Sequence, residues 1–362
     1  MLIPKLPPFE RRRSTELRIL RRRTLGVVVT LCRASGALVA FTPREVLEAA
    51  DAMRAQDDTV GFSWRTWGGE DGLMHMPFAS TRSPRSHRFA QLDVFADRPQ
   101  RGNPLAVVLE ADGLTDEDMQ RIARWTNLSE TTFLLPARDP DADYRVRIFT
   151  PSGELPFAGH PTLGTARAWL RGGGEPSGER IVQECAAGLI EIRRDGDRLA
   201  FVAPPLLRSG PLDEADVAQL AAALGVERSS VRGHTWADNG PGWRVLELET
   251  AEQVLSLAPD LAWMTDSKLG VVGRHHAPAD GNSPLYEVRA FTLGGVEDPV
   301  TGSLNAGIAQ WMVDREPMPA RWTAAQGTVL DRRGRIDVQV DADGSIWIGG
   351  ATVLTVEGSI LV

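Results

Sequence analysis

The chain has 362 residues, 42% of them hydrophobic and 24% charged, with a formal net charge of −8; this is the balance of a globular protein with room for two domains. An acidic surplus argues against a general nucleic-acid binder. Two cysteines, Cys32 and Cys185, are too few for a disulfide framework or a zinc site, and the six histidines lack ligand spacing.

The amino-terminal stretch differs from the rest. Residues 1–87 carry 14 Lys and Arg against 9 Asp and Glu, whereas residues 88–362 carry 26 against 39. Arg11–Arg13 and Arg21–Arg23 precede an apolar run, Leu25 to Cys32, that imitates a secretory signal. Arg33 interrupts the run, no small-x-small cleavage site follows it, and it is too short to span a bilayer. Residues 77–87 read as linker. The expectation is that residues 1–86 are a disordered extension, or upstream sequence translated from a start placed too early; Met74 and Met76 lie just before the ordered pattern.

From Arg88 the pattern sharpens. Phe89 to Phe95 alternates like a strand, Gly102-Asn-Pro104 marks a turn, and Leu105 to Leu109 reads as a buried strand. Thr115 and Asp118 have capping-box spacing for a helix that offers Met119, Ile122, Ala123 and Trp125 to a core. The helix ends near Asn127, and Glu130 stands at the mouth of an apolar strand, Thr131 to Leu135. Further strands are expected at 144–149, 181–193, 199–203, 244–248, 268–273 and 285–291, with a helix from Asp213 to Leu224. Residues 329–362 read as a β meander with turns at Arg333-Gly334, Asp343-Gly344 and Gly349-Gly350.

One unit occurs twice. Phe149 to Leu170 runs strand, Gly turn, Gly159-His160-Pro161, then a helix of small residues ending near Trp169. Phe291 to Met312 repeats that order without a gap, with Gly295, Asp298-Pro299, Gly302-Ser303 and Trp311. Two such units predict a duplicated fold in which two helix amino ends face one cleft. A helix amino end presents free N–H groups and a positive dipole, a seat for a carboxylate.

The candidate chemistry lies around these units. A carboxylate at the mouth of an apolar strand costs free energy to bury unless something uses it, and burial would raise its pKa into the range of an acid/base. The plainer alternative for Glu130 is a surface residue in a turn or cap contact. His160 alone reads more readily as a hydrogen-bonded structural histidine than as a catalyst. Asp298 suits a helix start, and Gly159, Gly302 and Ser303 suit ordinary turns. The Gly172-Gly-Gly174 run lacks a phosphate-loop ending and reads as a helix stop.

Together Arg88–Phe95, Gly102–Val107, Asn127–Thr131, Phe149–Thr162 and Glu297–Ser303 resemble the phenazine-biosynthesis PhzF-like isomerase family over residues 87–362. The resemblance implies an α+β, diaminopimelate-epimerase-like fold: two pseudo-symmetric domains, each a curved sheet or barrel around a central helix, here 87–205 and 206–362. It implies a cytoplasmic homodimer with no metal or organic cofactor that acts on a small anionic substrate. By resemblance Glu130 is the acid/base that moves a proton along an allylic acid, of the dihydro-3-hydroxyanthranilate type. His160 lies beside the substrate, Asp298 faces its amino or hydroxyl group, and Gly159, Gly302 and Ser303 bind its carboxylate. Racemases of this fold use two thiols, one at each helix start; here those places hold Gly159-His160 and Gly302-Ser303. A single-base epimerase and a non-catalytic binder of an anionic metabolite remain the alternatives.

Overall fold

The computed structural model describes residues 18–24, 27–34, 37–41, 85–260, 268–276, 283–292 and 295–362. Contacts divide the chain into two units, Met1–Arg85 and Ser86–Val362. In the first, β1 (Arg18–Thr24), β2 (Val27–Ala34) and β3 (Ala37–Phe41) form an antiparallel sheet with β2 central. Strands thus occupy part of the stretch that the sequence reads as an extension, and most of the apolar run falls in β2, where Val27, Val28 and Val29 suit a strand. Met74, Met76 and most of the expected linker lie outside the described residues. Among the described residues no helix is long and apolar enough to cross a membrane.

The second unit is built twice over. Its first half comprises β4 (Ser86–Val94), β5 (Asn103–Val108), α1 (Asp116–Thr126), β6 (Thr131–Leu135), β7 (Tyr144–Phe149), β8 (Glu154–Leu155), α2 (Gly159–Arg171), β9 (Ile181–Cys185), β10 (Gly188–Asp195) and β11 (Arg198–Val202). After β12 (Arg208–Gly210) and α3 (Glu214–Leu224) the order returns. It runs through β13 (Gly233–Asp238), β14 (Trp243–Thr250), α4 (Ala251–Ser256), β15 (Lys268–Arg274), β16 (Tyr286–Thr292), β17 (Val296–Asp298), α5 (Gly302–Arg315), β18 (Arg321–Gln326), β19 (Gly334–Val340) and β20 (Ile346–Leu361).

The pairings repeat as well. β5 pairs parallel with β6 across α1, and β14 pairs parallel with β15 across α4. β7 pairs antiparallel with β6 and parallel with β9; β16 does the same with β15 and β18. β20 closes the sheet, pairing β19, β11 and β4 in one run of strand. No turn forms at Gly349-Gly350, against expectation. These glycines lie inside β20, where a Cβ on Gly349 would stand 2.5 Å from the Leu199 carbonyl oxygen, so the missing side chain gives room for a neighbouring strand.

Each repeat wraps strands around its small-residue helix. Helix α2 is buried from Gly159 to Ala166 and packs on β4, β5, β6, β9, β11 and β20; α5 packs on β13, β14, β19 and β20. A Cβ on Gly164 would meet Leu105 Cδ2 at 2.4 Å, and one on Gly307 would meet the Ala237 carbonyl oxygen at 2.7 Å. Small residues are therefore what lets both helices lie this close to their strands.

Helix α1 forms with the expected Thr115 capping box and buries Met119, Ile122 and Ala123. Trp125 departs from the expectation and is 74% exposed. At about 100° per residue, Met119, Ile122 and Ala123 share one face, and Trp125 falls on the other side. An arginine recurs at matching places: Arg147 on β7 holds Glu154 and Asp116, and Arg289 on β16 holds Glu297 in a bidentate pair and donates to the Leu257 carbonyl.

Candidate active site

The segment from Asn127 to Thr131 sets Glu130. Asn127 ends α1 in the left-handed region, at φ 53°, and turns the chain out of the helix. The Thr126 and Thr131 hydroxyls meet at 2.7 Å across the turn. Thr165 on α2 donates to the Thr132 hydroxyl at 2.8 Å, so the strand that starts beside Glu130 is tied to the helix that starts beside His160.

Those ties bring the two side chains together. His160 Nε2 stands 3.2 Å from Glu130 Oε2, with 7% and 16% of the respective side-chain surfaces exposed. Neither atom has a hydrogen-bond partner of acceptable angle. Two buried, unsatisfied polar atoms facing one another are costly, and a bound molecule would relieve them.

Asp298 joins them from the second repeat. Its Oδ1 accepts from Asn103 Nδ2 at 3.0 Å and its Oδ2 from the Thr301 hydroxyl at 2.5 Å. Asn103 Nδ2 also donates to the Val300 carbonyl at 2.8 Å and lies 3.4 Å from His160 Nδ1. Behind Asp298, Gln326 donates to its backbone carbonyl and to the Thr301 hydroxyl, and accepts from Thr301 N–H and Asn305 Nδ2.

Both helix amino ends reach the same ring. A Cβ on Gly159 would stand 2.6 Å from Phe201 Cζ, and one on Gly302 would stand 3.6 Å from that atom. Neither helix has a side-chain cap, whereas α1 and α4 both have capping boxes. Ser303 Oγ accepts from Trp243 Nε1 at 3.0 Å, and because indole can only donate, the hydroxyl hydrogen is left to be given elsewhere.

Burial governs the charges. It raises Glu130 to about 8, with the Asp298 charge adding to the rise and Lys268 opposing it. Asp298 itself is raised to about 6 by burial, against the pull of Thr301, Asn103 and Lys268. Burial lowers His160 to about 3, so its imidazole is neutral at ordinary pH. Among the described residues no group of three or more His, Cys, Asp or Glu is arranged to hold a metal ion.

Glu130, His160 and Asp298 thus form one cluster, with Gly159, Gly302 and Ser303 on the two helix starts beside it. Cys185 stands apart at the end of β9, buried, with its thiol pKa raised by burial. A groove of about 750 Å³ between Arg193, Trp322 and Trp347 lies elsewhere and contains none of these residues. Sequence reasoning missed Asn103, Gln326 and Lys268. Asn103 had one signal, a polar residue between Gly102 and Pro104 at the head of a buried strand, and it reads equally well as a turn.

This geometry has relatives. The profile of the phenazine biosynthesis-like protein family matches residues 92–358. The chain belongs to that family. Among curated proteins it is 36% identical to the trans-2,3-dihydro-3-hydroxyanthranilate isomerase of Pseudomonas aeruginosa, over 71% of this chain and 92% of the relative. It is 34% identical to antisense-enhancing sequence 1 of Schizosaccharomyces pombe, over 75% of this chain and 98% of the relative. The structure of a predicted epimerase from Pseudomonas aeruginosa superposes with a TM-score of 0.61 at 31% identity, covering 76% of this chain and 99% of that one. A Bacillus anthracis protein of the PhzF family shares the fold with a TM-score of 0.65 at 24% identity, over 77% and 100%. The chain is an isomerase of this family, and its α+β architecture with a doubled repeat is the family's fold.

Proposed function

We propose that this chain moves a proton within a small unsaturated carboxylic acid, of the kind named by its Pseudomonas aeruginosa relative, without a cofactor, and that Glu130 is the acid/base. Ionised Glu130 takes a proton from one carbon of an allylic unit. The freed pair becomes a new double bond, the old double bond shifts, and the Glu130 acid returns the proton to the far carbon. A carboxyl raised to about 8 is a stronger base than an ordinary carboxylate and a good store for the proton between the two steps.

The observation that carries this reading is the buried pair of unsatisfied atoms, Glu130 Oε2 and His160 Nε2, at 3.2 Å. His160 lies beside the reacting carbons, and Asp298 accepts from the substrate's amino or hydroxyl group. The N–H groups of Gly159, Gly302 and Ser303, with the Ser303 hydroxyl, hold its carboxylate at the two uncapped helix starts. The protein works as a cytoplasmic homodimer whose lobes are 87–205 and 206–362; light scattering tests the dimer.

Turnover of trans-2,3-dihydro-3-hydroxyanthranilate in deuterium oxide tests the reaction. A shifted double bond in the product is the expected result. Deuterium exchange with inversion and no double-bond shift would make the chain a single-base epimerase, and binding with neither change would make it a binder.

A further inference from the structure

Asn103 is fully buried at the head of β5 in the first repeat, and its amide faces acceptors from both repeats. Val300 O lies 2.8 Å away, Asp298 Oδ1 3.0 Å and His160 Nδ1 3.4 Å, all from the same nitrogen. The Val300 carbonyl can only accept, which makes the facing atom of the amide Nδ2 and not Oδ1; a flipped amide would set oxygen against two oxygens. His160 Nδ1 therefore faces a nitrogen that bears hydrogens and has no lone pair to offer. A hydrogen on Nδ1 would have nowhere to go.

We propose that Asn103 is a positioning residue: it fixes His160 as the tautomer that carries its proton on Nε2, and so leaves Glu130 as the only base between them. The tautomer of a histidine is set by what its other nitrogen meets. With hydrogen on Nε2, His160 donates towards Glu130 Oε2 or towards a substrate oxygen in the same place. It has no lone pair there to accept the proton that Glu130 removes, so the proton stays on the carboxyl until it is returned. The same amide holds Asp298 Oδ1, so one side chain sets the orientation of both of Glu130's partners.

This inference rests on the reading of Glu130 as the base, and the test separates the two. Protein with isotope-labelled histidine nitrogens is examined by long-range proton–nitrogen correlation, the His160 signals being identified by their loss in His160→Gln. The expected result is a bare Nδ1 and a protonated Nε2, unchanged from about pH 8 to about pH 5, because this buried ring does not charge in that range. In Asn103→Asp the new carboxylate can accept from Nδ1, and the hydrogen should move there. In Asn103→Ala both tautomers should appear, with kcat down about 10- to 100-fold, as for other residues that orient a working histidine. A wild-type His160 with hydrogen on Nδ1, or on both nitrogens near neutral pH, overturns the inference whether or not the variants fold. Full activity in Glu130→Gln would instead remove the base and leave the tautomer result standing.

Discussion

Gly159 and Gly302, the first residues of the two repeated helices, close on the same atom: a Cβ on either would lie within 3.6 Å of Phe201 Cζ. That ring is fully buried and packs edge-on against Phe157. The two positions nevertheless differ, because the approach at Gly159 is 2.6 Å, whereas the nearest contact at Gly302 is 3.3 Å, to Phe95.

Gly159→Ala should therefore destabilise by about 1–3 kcal/mol, the usual cost of forcing a methyl into a packed core. Gly302→Ala should be close to neutral, since ordinary give in its neighbours and the helix preference of alanine offset a tight contact. Urea unfolding midpoints check both. Equal losses at the two positions would mean that the helix starts are not packed as described.

The repeat was legible because its signal is composition at fixed order: a Gly turn, a helix start, small residues, then Trp169 or Trp311. That pattern reflects how near the helices lie to their strands, a requirement written in side-chain size. Trp125 was misread because hydrophobic character alone was weighed, without its angle on the helix. Gly349-Gly350 was misread because a glycine pair marks a turn and a crowded strand equally well. Asn103 carried only a signal that reads equally well as a turn, and Gln326 carried none. Their partners, Asp298 and Thr301, lie far away in sequence, and nothing local announces such a contact.

The buried titrating groups give the protein a pH signature. Glu130 is raised from 4.5 to about 8 by burial and the Asp298 charge. Between those values the unfolded chain gives up this proton while the folded chain keeps it, so stability falls as pH rises. His160, lowered from 6.5 to about 3 by burial, acts in the opposite sense but only below about 6.5. Asp298, raised to about 6, adds little above that value. From about pH 6.5 to about pH 8 the Glu130 effect should therefore stand alone, at about 1–2 kcal/mol in order of magnitude. Denaturant midpoints of the wild type should fall across that interval, and those of Glu130→Gln should stay flat. A flat wild type would mean that Glu130 titrates as an ordinary surface carboxyl.

The matching arginines should not cost the same. Arg289 and Glu297 keep only 6% and 10% of their side-chain surface, and Arg289→Ala leaves a buried carboxylate without its partner. A loss of about 3–5 kcal/mol is expected. Arg147 is 21% exposed and its partners Asp116 and Glu154 are 76% and 36% exposed. Water can replace much of that pairing, so Arg147→Ala should cost about 1 kcal/mol or less in lost ion pairing. Thermal unfolding of the two variants, compared side by side, checks the order.

The central claim is that one carboxyl both removes and returns the proton. Glu130→Gln keeps the shape and the capacity to hydrogen-bond but cannot accept a proton. Its kcat on trans-2,3-dihydro-3-hydroxyanthranilate, measured with substrate affinity by calorimetry on the same preparation, is the most direct test. The account predicts a fall in kcat of about 10² to 10⁴ with Kd little changed; a variant that binds and turns over like the wild type would contradict it.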